Sequence, residues 1–167
     1  MKKSILCLLL LLFAASAGLR AQADASLETF GKAFVKAISQ KEKAAFEPLM
    51  ISEETARATM AATAVDTADQ RQEMERFREA LPKMQANFAR AHEQLIEFMK
   101  GQDLSKASFV KIEREGEPKQ DVIVDKTDLV LYFKIKRKQF VIDIDDCVKT
   151  VQGWRFTAKF HAVTAEE

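Results

Sequence analysis

Apolar positions along the chain recur first with a helical period and then with a period of two. From Asp24 to about Gly101 the spacing is three and four. Leu27, Phe30, Phe34 and Ile38, with Ala33 and Ala37, form one stripe behind the N-cap candidates Asp24 and Ser26. Ser39-Gln40-Lys41 interrupts the stripe. A short second helix, Glu42 to Met50, follows with Phe46, Leu49 and Met50 inward and Pro48 limiting its length. Ser52 caps a third helix whose body, Ala56 to Val65, is nearly all small residues. Asp66 or Thr67 caps the longest segment. There Met74, Phe77, Leu81, Met84, Phe88, Ala91, Leu95 and Phe98 alternate spacings of three and four. Such a seam suits a coiled coil, which would imply a dimer. A long core-facing helix fits better, because the phenylalanines are too large for a two-stranded seam. Pro82 should kink or restart that helix, and Gly101 closes the helical half.

From Ala107 the period is two. Ser108–Arg114 is expected to carry Val110 and Ile112 on one face, and Gly116-Glu117-Pro118 to form a turn. Val122–Val124 is a candidate edge strand. Leu129, Leu131, Phe133 and Ile135 then alternate with Val130, Tyr132, Lys134 and Lys136. After a tight basic turn near Arg137-Lys138, Phe140, Ile142 and Ile144 alternate with Val141, Asp143 and Asp145. Val151-Gln152-Gly153 makes a further turn into a strand with Trp154, Phe156, Ala158 and Phe160 on one face, and Arg155, Thr157, Lys159 and His161 on the other. Long strands joined by short turns are antiparallel, each with one buried and one wet face. The chain therefore predicts an α+β fold, with N-terminal helices packed on a curved C-terminal antiparallel sheet of about four to five strands.

The first residues belong to neither pattern. Met1-Lys2-Lys3, an apolar run from Ile5 to Ala15, and Ala21-Gln22-Ala23 have the layout of a secretory signal peptide cut after Ala23. A transmembrane anchor needs about 20 apolar residues, and this run is shorter. The expectation is a signal peptide over 1–23 and one domain over 24–167, exported to the bacterial periplasm or beyond. The split also changes the charge. The whole chain carries 26 basic and 25 acidic side chains, a formal +1. Removing Lys2, Lys3 and Arg20 leaves 23 basic against 25 acidic, a balance of −2 that argues against nucleic-acid binding. Cys7 leaves with the leader, so Cys147 has no intrachain disulfide partner and no cysteine-rich metal site forms.

The order of elements, the length and the closing Gly153-Trp154-Arg155-Phe156 strand resemble the nuclear-transport-factor-2-like (cystatin-like) superfamily, as found in exported bacterial proteins. The resemblance spans about 25–163. It implies a cone with a pocket between sheet and helices, and enzymatic members place Asp, His, Tyr or Arg on the inward face. Here the inward positions, from Leu129 to Phe160, do not ionise.

The remaining polar groups have plain structural readings. His92 sits at a boundary of the long helix and His161 faces outward, and neither has metal-ligand spacing. Asp143, Asp145 and Asp146, with Asp125 and Asp128, lack the glycine and distal glutamate of a calcium loop. Cross-strand ion pairs to Arg155 and Lys159 account for them. Lys134, Lys136, Arg137 and Lys138 make a basic hairpin tip that discourages edge aggregation. Cys147 follows three aspartates, which raise a thiol pKa, so it reads as a buried small residue or an interchain disulfide rather than a nucleophile. Apolar Val130 and Tyr132 on the nominally wet face point to a covered sheet, as in a homodimer.

The expected function is an exported, non-catalytic binding or protein-interaction domain of the cell envelope, with no cofactor and no metal. Its partner would be a small molecule or an envelope protein, and its candidate pocket or interface residues are Tyr132, Trp154, His92 and Phe88. The alternative is a small isomerase or hydrolase whose polar groups come from the helices, such as Glu93, Glu97 or His92.

Overall fold

A computed structural model describes residues 26–63, 66–120 and 125–166. The signal-peptide reading of 1–23 and the candidate edge strand Val122–Val124 lie outside the described residues. Helix α1 covers residues 26–40. Its stripe is buried as the spacing requires, with Phe34 and Ile38 fully inaccessible. The chain leaves α1 through Lys41, which takes a left-handed conformation (φ 62°). Lys43–Leu49 is a 3-10 helix that buries Phe46 and Leu49. The Ile51 N–H then donates to the Phe156 carbonyl at 3.0 Å, laying this segment beside the last strand.

Helix α2 is Glu53–Ala61, capped by the Ser52 hydroxyl, which accepts from the Thr55 N–H at 3.1 Å. It ends at Ala61, with Ala61 and Ala62 exposed; Val65, to which the sequence extended it, lies outside the described residues. Helix α3 is Thr67–Phe98, with Asp66 accepting from the Ala68 N–H at 2.7 Å. Of the two outcomes expected at Pro82, a kink or a restart, the restart does not occur: α3 runs through it as one element. Pro82 lies on the exposed side, where solvent can satisfy the carbonyl left without its donor. The seam is also unevenly used. Met74, Phe88, Ala91 and Leu95 are buried, Phe77, Leu81 and Met84 are half-buried, and Phe98 is 43% exposed. Only the C-terminal half of α3 lies against the sheet core; the N-terminal half packs on the much smaller α2.

Four strands follow: β1 (Ala107–Gln120), β2 (Asp125–Ile135), β3 (Lys138–Thr150) and β4 (Gly153–Glu166). They form one antiparallel sheet in the order β1-β2-β3-β4. Two details of β1 differ from the sequence expectation. Phe109 pairs with Phe133 but Lys111 with Tyr132, so Val110 is the extra residue of a bulge. Phe109 and Ile112 therefore meet the core while Val110 is 39% exposed. Gly116 (φ 75°) marks a second shift of register rather than a hairpin turn, and β1 continues to pair Lys119 with Lys126. A glycine in the left-handed region serves a bulge as readily as a turn, and the length of β2 supplies the continuing partner.

The inner face is closed by aromatic packing. Leu129, Leu131, Phe133, Ile142, Ile144 and Phe156 are inaccessible. Phe34 lies 5.2 Å from Phe46, 5.6 Å from Phe156 and 5.3 Å from Phe160, ring centre to ring centre, with steep tilts. Gly31 lets α1 approach β1 closely: a β-carbon there would stand 2.5 Å from the edge of the Phe109 ring.

Candidate functional site

The four residues singled out from the sequence occupy three places. Phe88 and His92, one turn apart on α3, come together against Phe46, with the imidazole centre 5.6 Å from the Phe46 ring. The His92 Nε2 lies 3.2 Å from the Lys41 carbonyl and ties α3 to the turn that ends α1. Trp154 is 1% exposed at the start of β4, with the Arg114 guanidinium 5.1 Å above its ring. Tyr132 stands on the opposite face of the sheet, under Lys111 at 4.4 Å. Glu93 and Glu97 of the enzymatic alternative are exposed, and Glu97 pairs with Lys100 at 3.1 Å.

Among the described residues, the inner-face positions are packed by the protein's own side chains, and the grooves they line are outer ones. One groove of about 460 Å³ lies between α2 and α3, with Arg57, Arg71 and Arg78 around Met74. The sequence reading missed it; the signal was Arg71 and Arg78 seven residues apart, hence on one helix face. All three arginines are already engaged: Glu53 accepts from Arg57 at 2.8 Å and Arg78 at 2.7 Å, and Arg71 donates to the Thr67 carbonyl at 3.3 Å. The bonds to Glu53, Arg78 first, hold its carboxyl below its ordinary range. A second groove, about 410 Å³, has Met50, Ile51, Leu81 and Phe88 along its walls.

The most organised outer surface is the face of the sheet turned away from the helices. Strand pairing sets Lys111, Tyr132 and Val141 in one row across β1, β2 and β3. The next row is Glu113, Val130, Asp143 and His161, and the next Glu115, Asp128 on one side and Asp145, Lys159 on the other. On the other side of Tyr132, Lys134 pairs with Gln139, and the chain turns at Lys136-Arg137. The basic turn thus falls one residue earlier than the sequence placed it, with Lys136 supplying the left-handed residue (φ 58°).

Asp143 is matched by His161 at 3.6 Å, and Asp145 lies opposite Lys159. The expected partner Arg155 is elsewhere: a bulge at Asp146 shifts the register so that Arg155 faces Val148 and donates to the Trp154 carbonyl at 2.7 Å. Asp146 itself is left-handed (φ 54°); its N–H donates to Asp128 at 2.8 Å and its carboxylate meets Lys126 at 3.0 Å. Burial raises the Asp143 pKa, with His161 opposing and Asp145 adding to the rise. Beneath this cluster Cys147 is inaccessible, which removes it from interchain disulfide formation in the folded chain. Burial, and then Asp128, Asp146 and Asp145, push its thiol well above the ordinary value.

Among the described residues, no group of His, Cys, Asp and Glu is placed to hold a metal ion, and no helix is long and apolar enough to cross a membrane. No known protein family, curated protein or solved structure matches the chain.

Proposed function

We propose that the protein is an exported, non-catalytic binding or protein-interaction domain of the bacterial cell envelope. The observation that carries this reading is the filled inner face. Phe34, Phe46 and Phe88 from the helical half interleave with Phe156 and Phe160 where a catalytic cone would hold substrate. Recognition then falls to outer surfaces, and the sheet face around Tyr132 combines apolar and charged rows as interaction surfaces do. The signal-peptide layout of residues 1–23 supports export, and the resemblance to nuclear-transport-factor-2-like proteins supports the setting.

Two measurements test the reading. Expression of the full chain in a Gram-negative host, followed by fractionation and intact-mass analysis, should give a periplasmic species beginning at Asp24; an uncleaved cytoplasmic species overturns export. Photo-crosslinking residues placed in cells at Glu113, Tyr132 or Lys134 should yield discrete protein adducts, whereas the same probe at exposed Glu93 should not. No adduct at any outer sheet position rejects the interaction role for that face.

A further inference from the structure

We propose that the outer sheet face binds a second copy of the same chain, face to face, with the two-fold axis running across the strands at Tyr132 and Val141. This names the partner of the interaction surface proposed above and rests on that reading.

Charge along the strands is the starting point. At one end stand Lys134 and, in the β2–β3 turn, Lys136 and Arg137. At the other end stand Glu115, Asp128, Asp143, Asp145 and Asp146. Among the described residues, Lys126 and Lys159 offset part of that acidity. Between the two ends lie Tyr132, Val141 and Val130, with Lys111 and Glu113 satisfying each other at 2.9 Å. The face is therefore basic, then apolar, then acidic along one direction.

Symmetry decides what such a face can pair with. When two copies of one surface stack, the two-fold axis lies in the plane between them. An axis parallel to the strands would set lysine over lysine and aspartate over aspartate. An axis across the strands reverses one copy end to end and sets the basic end of each over the acidic end of the other. With the axis at Tyr132, Lys134 lies one two-residue step to one side, and Val130 with its neighbour Asp143 one step to the other. A two-residue step is about 6.8 Å, so both displacements match. Beyond these residues, in opposite directions, lie Lys136 in the turn that follows β2 and Asp128. Tyr132 then meets its own copy at the centre, over the buried Val141, and Lys134 of each chain reaches the half-buried Asp143 of the other. Among the described residues, the ion-pair partner of Asp143 within its own chain is His161, at a long 3.6 Å. Each cross-chain pair occurs twice per dimer.

Analytical ultracentrifugation of the purified protein over a concentration series tests this. The wild type should be a dimer whose dissociation constant rises with salt. Tyr132→Glu should be monomeric with an unchanged circular-dichroism spectrum. Lys134→Glu and Asp143→Lys should each weaken the dimer by at least about tenfold, and the double variant Lys134→Glu/Asp143→Lys should recover most of that loss. If Tyr132→Glu does not fold, the Lys134 and Asp143 variants decide alone. A wild type that stays monomeric up to its solubility limit overturns the proposal, as does a dimer indifferent to both charge reversals. A monomer that instead binds anionic vesicles through Lys134 and Arg137 also overturns it. A monomeric protein that still crosslinks to a different envelope protein in cells rejects the second copy while leaving the interaction role standing.

Discussion

The thiol of Cys147 is held under β3 with no accessible surface, its hydrogen directed to the Ile144 carbonyl at 3.6 Å. An unfolded chain would ionise this group near pH ~8.5, whereas the folded chain keeps the proton. The fold therefore loses stability as pH rises above the ordinary thiol value, because only the unfolded chain can release that proton. Native protein should resist a thiol reagent at Cys147, followed at the peptide level to separate it from Cys7, and label only as fast as it unfolds. Labelling within the mixing time would show that the site opens locally. Asp143 titrates in the same sense. Its folded pKa is raised, so its protonated form favours the fold, and this contribution is full below the ordinary carboxyl value and lost as pH rises through the raised one. Asp143→Asn should stabilise the monomer at neutral pH by less than about 1 kcal/mol, with the gain vanishing near pH ~4. Urea unfolding at both values, at concentrations where the chain is monomeric, checks it.

Among the elements, α3 shows how one regular pattern meets two environments. Phe88 is 3% exposed within the aromatic cluster, and Phe88→Ala should cost about 3–5 kcal/mol. Phe77 holds an equivalent seam position in the N-terminal half of α3 but is only half-buried, so Phe77→Ala should cost less than half as much. Equal losses from the two would show that α2 covers the N-terminal half of α3 more fully than the structure has it. Helix α1 depends on closeness rather than bulk. Alanine normally favours a helix over glycine by about 1 kcal/mol. At Gly31 the added carbon would strike the Phe109 ring at 2.5 Å and the Ile112 side chain at 3.2 Å. Overpacking of this kind costs about 1–3 kcal/mol, so Gly31→Ala should be net destabilising by about 1 kcal/mol in thermal or urea unfolding. Stabilisation would mean that Phe109 moves freely.

At the scale of the molecule, one apolar cluster joins α1, the 3-10 helix, α3 and all four strands. Trp154, the only tryptophan, is buried at the start of β4. Its emission should therefore change in the same transition that removes the far-ultraviolet helical signal, as expected of one cooperative unit. Separate midpoints would divide the helical half from the sheet. Fold class was legible because each half carries its own period, and the alternation through β2 and β3 names the buried face residue by residue. The candidate site was legible only in part. Tyr132 and Val130 were visible as apolar residues out of place, and the basic tip as a run. The ordering of basic, apolar and acidic rows appears only once β1, β2 and β3 are paired.

What the sequence alone determined is whatever depends on near neighbours: the helix caps at Ser52 and Asp66, the α1 stripe, the inward set from Leu129 to Ile144, and the left-handed ends at Gly101 and Gly153. Tertiary structure decided the rest. It turned Val110 out and Phe109 in, carried β1 past Gly116, let α3 run through Pro82, and set Arg155 away from the aspartates. Each of these outcomes depends on register or solvent exposure, and both are set by segments distant along the chain. A bulge shifts every later side chain relative to the neighbouring strand, and no local pattern of residues records which strand that neighbour will be.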